Sequence, residues 1–152
     1  MTKKTNVLVV VLLLLAWGGV SPKAQDSIPQ PILDAWEEHW NQTTKEVVER
    51  MQQELLAEGS SIETLKDEIF TRISWEELGR RRVEALLLQS CGSDVLAQIL
   101  PFYVGEAAWE DIGEDLKTSY FSCQATVDLM VNSAPVYAII ELVYEKNQSG
   151  PN

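Results

Sequence analysis

The chain of 152 residues is short of four things that usually announce chemistry: it holds one histidine, two cysteines, 12 basic residues against 23 acidic ones, and no glycine-rich phosphate loop or nucleophile elbow. Each scarcity excludes something. A general base at neutral pH is most often histidine, so any Ser-His-Asp or Cys-His device would have to use His39. That residue sits in EEHW, flanked by Glu37 and Glu38 and one step off the apolar stripe of a helix, and it reads as a surface histidine. A zinc site wants four ligands at short paired spacings, and Cys91, Cys123 and a distant His39 do not supply them. No metal and no cofactor are therefore expected. The net charge of −11 repels phosphate backbones, which proteins bind by placing Lys and Arg against them. Nucleic acid and anionic membranes are poor partners for such a surface.

What is present begins with an address. MTKK is a short basic start, NVLVVVLLLLAW an apolar run, and GGVSPKAQ a stretch of small and turn-forming residues. That order is the mark of a secretory signal peptide, here taken as residues 1–24. The run falls short of the ~20 apolar residues of a transmembrane helix, so no stable membrane anchor is expected after cleavage. Removing 1–24 deletes Lys3, Lys4 and Lys23 and no acid, which leaves nine basic residues against 23 acidic ones, a net charge of −14. The expected location is the periplasm or the exterior. In such an oxidising compartment two cysteines usually pair, and Cys91 with Cys123 is the one connectivity available. Closing a loop of roughly 33 residues is worth about 3–4 kcal/mol in the chain-entropy account.

Hydrophobic spacing then points to one all-α domain of five or six amphipathic helices in a small bundle, covering 32–146, with a polar leader at 25–31 and a disordered tail at 147–152. Leu33, Trp36, Trp40, Val47, Met51 and Leu55 recur at helical steps, with Thr43 or Thr44 filling the missing turn and Gly59 closing the helix. Ser60-Ser61-Ile62-Glu63 and Ser74-Trp75-Glu76-Glu77 each resemble a capping box. Ser93, followed by Asp94, is expected to cap a further helix. A fifth helix is expected from about Glu106 to Asn132, and Pro135 is expected to open a last helix that is apolar nearly all round.

The stretch SDVLAQILPFYVGEAAW, residues 93–109, concentrates the unusual features. Pro101 should kink or end its helix at Leu100, and Gly105 should provide the turn that follows. This reads either as a corner plugged by aromatic rings beside the cysteine bridge, or as a pocket lined by Phe102, Tyr103 and Trp109. The same residues carry a resemblance. SWEELGRRRVEALLLQSCGSDVLAQILPFYVGEAAW resembles an exported bacterial helical family known as the domain of unknown function numbered two-zero-five-nine, through Asp94, Phe102, Tyr103 and Gly105, with Trp75 as a further match. The resemblance implies fold and export and no activity.

Two charged groups complete the reading. Glu106, Glu110, Asp111, Glu114 and Asp115 are expected to form an acidic face on the fifth helix, suited to a basic groove on a partner. Arg80, Arg81 and Arg82 are expected to pair with Glu76, Glu77 and Glu84 at helical spacing. The expected function is a non-catalytic interaction module that docks a protein partner or self-associates, with Phe102, Tyr103, Trp109, Val136, Tyr137, Ile140 and Tyr144 as candidate contacts. The alternatives are an immunity or inhibitor protein that neutralises a basic enzyme, and a small hydrolase built on two carboxylates, which would need both in one cleft.

Overall fold

In the computed structural model, residues 27–57 and 62–150 are described, and among them there is helix, turn and no strand. The signal segment, the Gly59 cap and the Ser60–Ser61 capping box lie outside the described residues, as do the side chains of Leu55, Ile62 and Glu63 and the last two residues of the tail. Four helices of 11 residues or more carry the fold: α1 (Gln30–Ala57), α2 (Arg80–Ser90), α3 (Ser93–Tyr103) and α4 (Glu114–Gln148). The expectation of five or six helices is corrected to these four, plus short helical turns in the connections.

The first helix follows its stripe. Ile32, Leu33, Trp36, Trp40, Val47 and Val48 are buried, and Thr43 and Thr44 both fill the missing turn, as buried residues. The helix starts at Gln30, inside the expected leader, with Ile32 and Leu33 bonding back to the Pro29 carbonyl. Between α1 and α2 the chain makes a 3-10 turn at Ile62–Leu65, a two-turn helix at Lys66–Arg72 and a wide π-type turn at Trp75–Gly79. Ser74 does cap that turn: its Oγ accepts from the Glu77 N–H at 3.2 Å. The widening has a cause at its far end. A Cβ on Gly79 would stand 2.6 Å from the Trp40 ring and 2.8 Å from Trp75, so only glycine lets the backbone slide between the two indoles. Trp40 then donates from Nε1 to the Ile73 carbonyl at 2.9 Å, which pins α1 to this connection.

Two corrections concern proline. Helix α3 runs through Pro101 and ends at Tyr103, three residues beyond the expected stop. The bond that Pro101 cannot donate would have gone to the carbonyl of Ala97, an exposed residue whose oxygen water can satisfy. Gly92, at φ 79°, takes the position before α3 that was expected of Ser93. At the other proline no helix starts. Pro135 lies inside α4, which is continuous for 35 residues and extends through Asn147 and Gln148, the first residues of the expected tail. Burial explains the continuity: Val131, Ala134, Pro135, Ala138, Ile139 and Leu142 are all buried on one side of the helix, and breaking it there would expose them.

The core has two parts, both packed on α4. The larger gathers Trp36, Trp40, Trp75, Val83, Leu87, Leu96, Ile99, Tyr120, Cys123 and Val127. The smaller gathers Val47, Val48, Ile69, Ile73, Ala138, Ile139 and Leu142. Cys91, just past α2, and Cys123 on α4 meet at disulfide distance, with Cα atoms 5.1 Å apart.

Candidate functional site

The corner after α3 is built as its sequence suggests and turns out to be largely a packing device. Gly105 takes φ 75°, and the Pro101 carbonyl accepts from both Glu106 and Ala107, which folds the chain back on the helix end. Phe102 packs edge-on against Tyr103 and Trp109, with centroids 5.4 and 5.2 Å apart, and Trp109 does the same with Phe121 at 5.1 Å. The Lys117 ammonium lies 5.8 Å over the Trp109 ring. The sequence-predicted trio Phe102, Tyr103 and Trp109 is thus brought together, with Phe121 as a fourth ring that the sequence reading passed over.

Below the corner, the Tyr103 and Tyr120 hydroxyls are hydrogen-bonded to each other between α3 and α4. Burial drives the pKa of both phenols up from 10.0, because a buried phenolate loses its hydration. At Tyr120 the bond to Tyr103 adds to the rise, and the Trp36 indole opposes it. His39 is not the isolated surface histidine of its sequence context. Its Nε2 is 2.7 Å from Asp128 Oδ1 on α4, 89 residues away, and both side chains are less than half exposed. No local pattern connects those two positions.

The expected acidic face on the fifth helix is corrected. Glu106 lies in the turn after α3, Glu110 and Asp111 lie in a 3-10 turn, and only Glu114 and Asp115 begin α4. All five are exposed, but they are spread over a loop and a helix start. Asp111 caps its own turn by accepting from the Ala108 N–H, and Glu114 pairs with Lys117 at 2.9 Å. Among the described residues no carboxylate is buried, so the cleft holding two enclosed acids that a carboxylate hydrolase needs is not formed by them. In the arginine run, Arg80 pairs with Glu84 at 2.9 Å.

The most distinctive surface is the outward side of α4. Phe121, Ala125, Leu129, Ile140 and Tyr144 are exposed at steps of four or multiples near it, and Leu129 is 73% exposed. Between them stand Ser122, Thr126, Asn132 and Ser133, which are polar but uncharged. From Thr118 to Tyr144 the only charged residues are Asp128 and Glu141, and both are at the flanks. Asp128 is turned to His39, and Glu141 shares a groove with Arg72, Arg82 and Tyr137. By length and hydropathy this helix could also cross a membrane, with 33% of its most apolar stretch buried inside the fold. Of the predicted contacts, Tyr137, Ile140 and Tyr144 are exposed here, whereas Val136 is half-buried against the smaller core. The two predicted groups do not meet: residues 121 and 140 are roughly 28 Å apart along the helix axis. Leu129, which fills the gap between them, was not singled out, although its spacing from Phe121 and Ala125 was readable.

No family model, curated protein or solved structure matches this chain at a significant level.

Proposed function

We propose that the protein is an exported, non-catalytic interaction module that works through the outward side of α4, and that its first partner is a second copy of itself. One observation carries this reading: in a chain with 23 acidic residues, some 27 positions of the longest helix present a surface with carboxylates only at its edges. Two strongly acidic molecules repel wherever their carboxylates face each other, so they can approach closely only through such a strip. Apolar side chains along the strip supply the attraction, and the Ser, Thr and Asn residues between them keep it soluble when unpaired. Export is supported by the basic-apolar-small order of residues 1–24 and by the cysteine pair at bonding distance, which suits an oxidising compartment. The resemblance carried by Asp94, Phe102, Tyr103 and Gly105 is part of the same proposal.

Light scattering coupled to size-exclusion chromatography tests it. The chain from residue 25 should elute as a dimer that dissociates on dilution, and the double variant Leu129→Glu, Ile140→Glu should be a monomer with the same melting temperature. A wild-type chain that is monomeric at every concentration would defeat self-association. If it then captured a basic protein regardless of those two substitutions, the inhibitor reading would replace this one.

A further inference from the structure

A second feature, which does not rest on self-association, lies where α4 passes the connection at 66–79 and the first turn of α2. A groove of about 260 Å³ opens there. Its apolar part has a local cause: Ala134 and Ala138 stand one turn apart on α4, and their short side chains leave room beside Leu78. Arg72, at the end of the two-turn helix, and Arg82, on α2, border the groove from one set of elements. Tyr137 and Glu141 border it from α4.

Two of the charges around this groove are left over by the sequence itself. On a helix, a charged side chain finds its counter-ion three or four residues away. For Arg82 those positions hold Leu78, Gly79, Ala85 and Leu86, and for Glu141 they hold Tyr137, Ala138, Tyr144 and Glu145. Neither residue has a partner of opposite charge within its own helix. The fold supplies none either: among the described residues Arg82 and Glu141 form no ion pair and no side-chain hydrogen bond, whereas Arg80 holds Glu84 and Arg72 holds Glu145 at 3.0 Å. One unmatched guanidinium and one unmatched carboxylate therefore border a single groove without meeting. An anion drawn to Arg82 would meet Glu141 and the net charge of −11. A cation drawn to Glu141 would meet two guanidinium groups. A molecule that carries both charges side by side satisfies both residues and has no net charge to be repelled.

We propose that this groove binds a free α-amino acid as its zwitterion, the carboxylate accepting from the Arg82 guanidinium, the ammonium donating to Glu141, and an apolar side chain lying against Leu78, Ala134 and Ala138. The planar fork of arginine matches a carboxylate with two parallel N–H donors. Arg72 has further N–H donors beyond the one given to Glu145 and adds to the carboxylate end of the site. The volume lies near the lower limit of small-molecule sites and suits one amino acid. A peptide bond at either end of the ligand removes one of its two charges, so a longer chain satisfies only one of the two residues.

The experiment uses the ¹⁵N-labelled full chain and three probes that share one branched apolar tail: leucine, 4-methylpentanoate with the carboxylate alone, and 3-methylbutylamine with the ammonium alone. Leucine should shift the backbone amides of Ala138 and Glu141 and the Arg82 Nε–H saturably, and each single-charge probe should bind about tenfold more weakly, the factor that one lost charged hydrogen bond carries. Arg82→Gln should weaken leucine by about the same tenfold factor. Glu141→Gln should weaken leucine as well but tighten 4-methylpentanoate, because the repulsion is gone; a merely structural role for Glu141 would not produce that inversion. Both side chains are exposed, so both variants should keep the wild-type melting temperature. Leu129→Glu, which alters the outer side of α4 outside the groove, should leave leucine binding unchanged even where it abolishes dimers. Equal binding of the three probes would mean apolar contact only and would overturn the proposal. Binding of 4-methylpentanoate as tight as that of leucine would make this an anion site and overturn it too, as would the absence of any saturable shift with leucine.

Discussion

The two sides of α4 obey opposite rules, although they belong to one uninterrupted helix. The inner side carries Tyr120, Cys123, Val127, Val131, Ala134, Ala138, Ile139 and Leu142, all buried, and both parts of the core rest on it. The outer side carries Phe121, Leu129, Ile140 and Tyr144, nearly as apolar and all exposed. Hydrophobicity therefore does not distinguish the sides; the neighbours do. The inner side has α1, α2, α3 and the connection at 66–79 around it, whereas the outer side, beyond the contact of Phe121 with Trp109, has no covering element among the described residues. A helix apolar on both sides is stable in one fold only if something else meets the second side, or if the exposed apolar area stays small enough to tolerate.

Substitutions along α4 sharpen that contrast, and the largest effect should come from its covalent tie. Reducing the Cys91–Cys123 pair should cost about 3–4 kcal/mol, because the loop closed across a sequence separation of 32 regains its freedom in the unfolded chain. Denaturant melts with and without reductant measure it, and thiol titration of the native chain should find no free cysteine. Ile139→Ala should follow at about 3 kcal/mol, since the residue is fully buried in the smaller core and leaves a cavity. Tyr120→Phe should cost about 1 kcal/mol for its hydrogen bond to Tyr103. The same pair gives a pH signature. Because the folded pKa values are raised above 10.0, the unfolded chain releases these protons first; the stabilisation is complete below pH 10 and is lost as the pH rises beyond it. Melting temperatures taken across that range should fall less steeply in Tyr120→Phe. Leu129→Ser, on the outer side, should change the stability of the isolated fold by no more than about 0.5 kcal/mol, while weakening association. An outer-side loss as large as that of Ile139→Ala would erase the distinction between the two sides.

Much of this fold is legible in the residues. The stripe of α1, with two threonines standing in for one turn, predicts its burial, because the 3.6-residue period alone decides which side chains face inward. Ser74 and Gly105 behave as their chemistry requires. The two prolines misled for different reasons: at Pro135 buried residues on both flanks outweigh the local cost of about 3 kcal/mol, whereas at Pro101 the helix has only two residues left to run and the carbonyl that loses its bond belongs to the exposed Ala97. The acidic residues 106–115 misled in the opposite direction, since their spacing fits a helix but Gly105, Gly113 and the packing of Trp109 against Phe102 impose turns. Phe121 and Leu129 had a signal in the four-residue step that was available and unused.

The sequence by itself determined the helical class, the inward stripe of α1, the aromatic corner and the only possible cysteine pairing, because each depends on local period, local backbone restriction or simple counting. Only the tertiary structure decided that α4 is continuous, that most of its outer side is left uncovered by the other described elements, and that His39 meets Asp128 near the buried indole of Trp36. Those outcomes join residues as many as 89 positions apart, and a contact at that separation is fixed by how whole helices pack, not by any pattern along the chain.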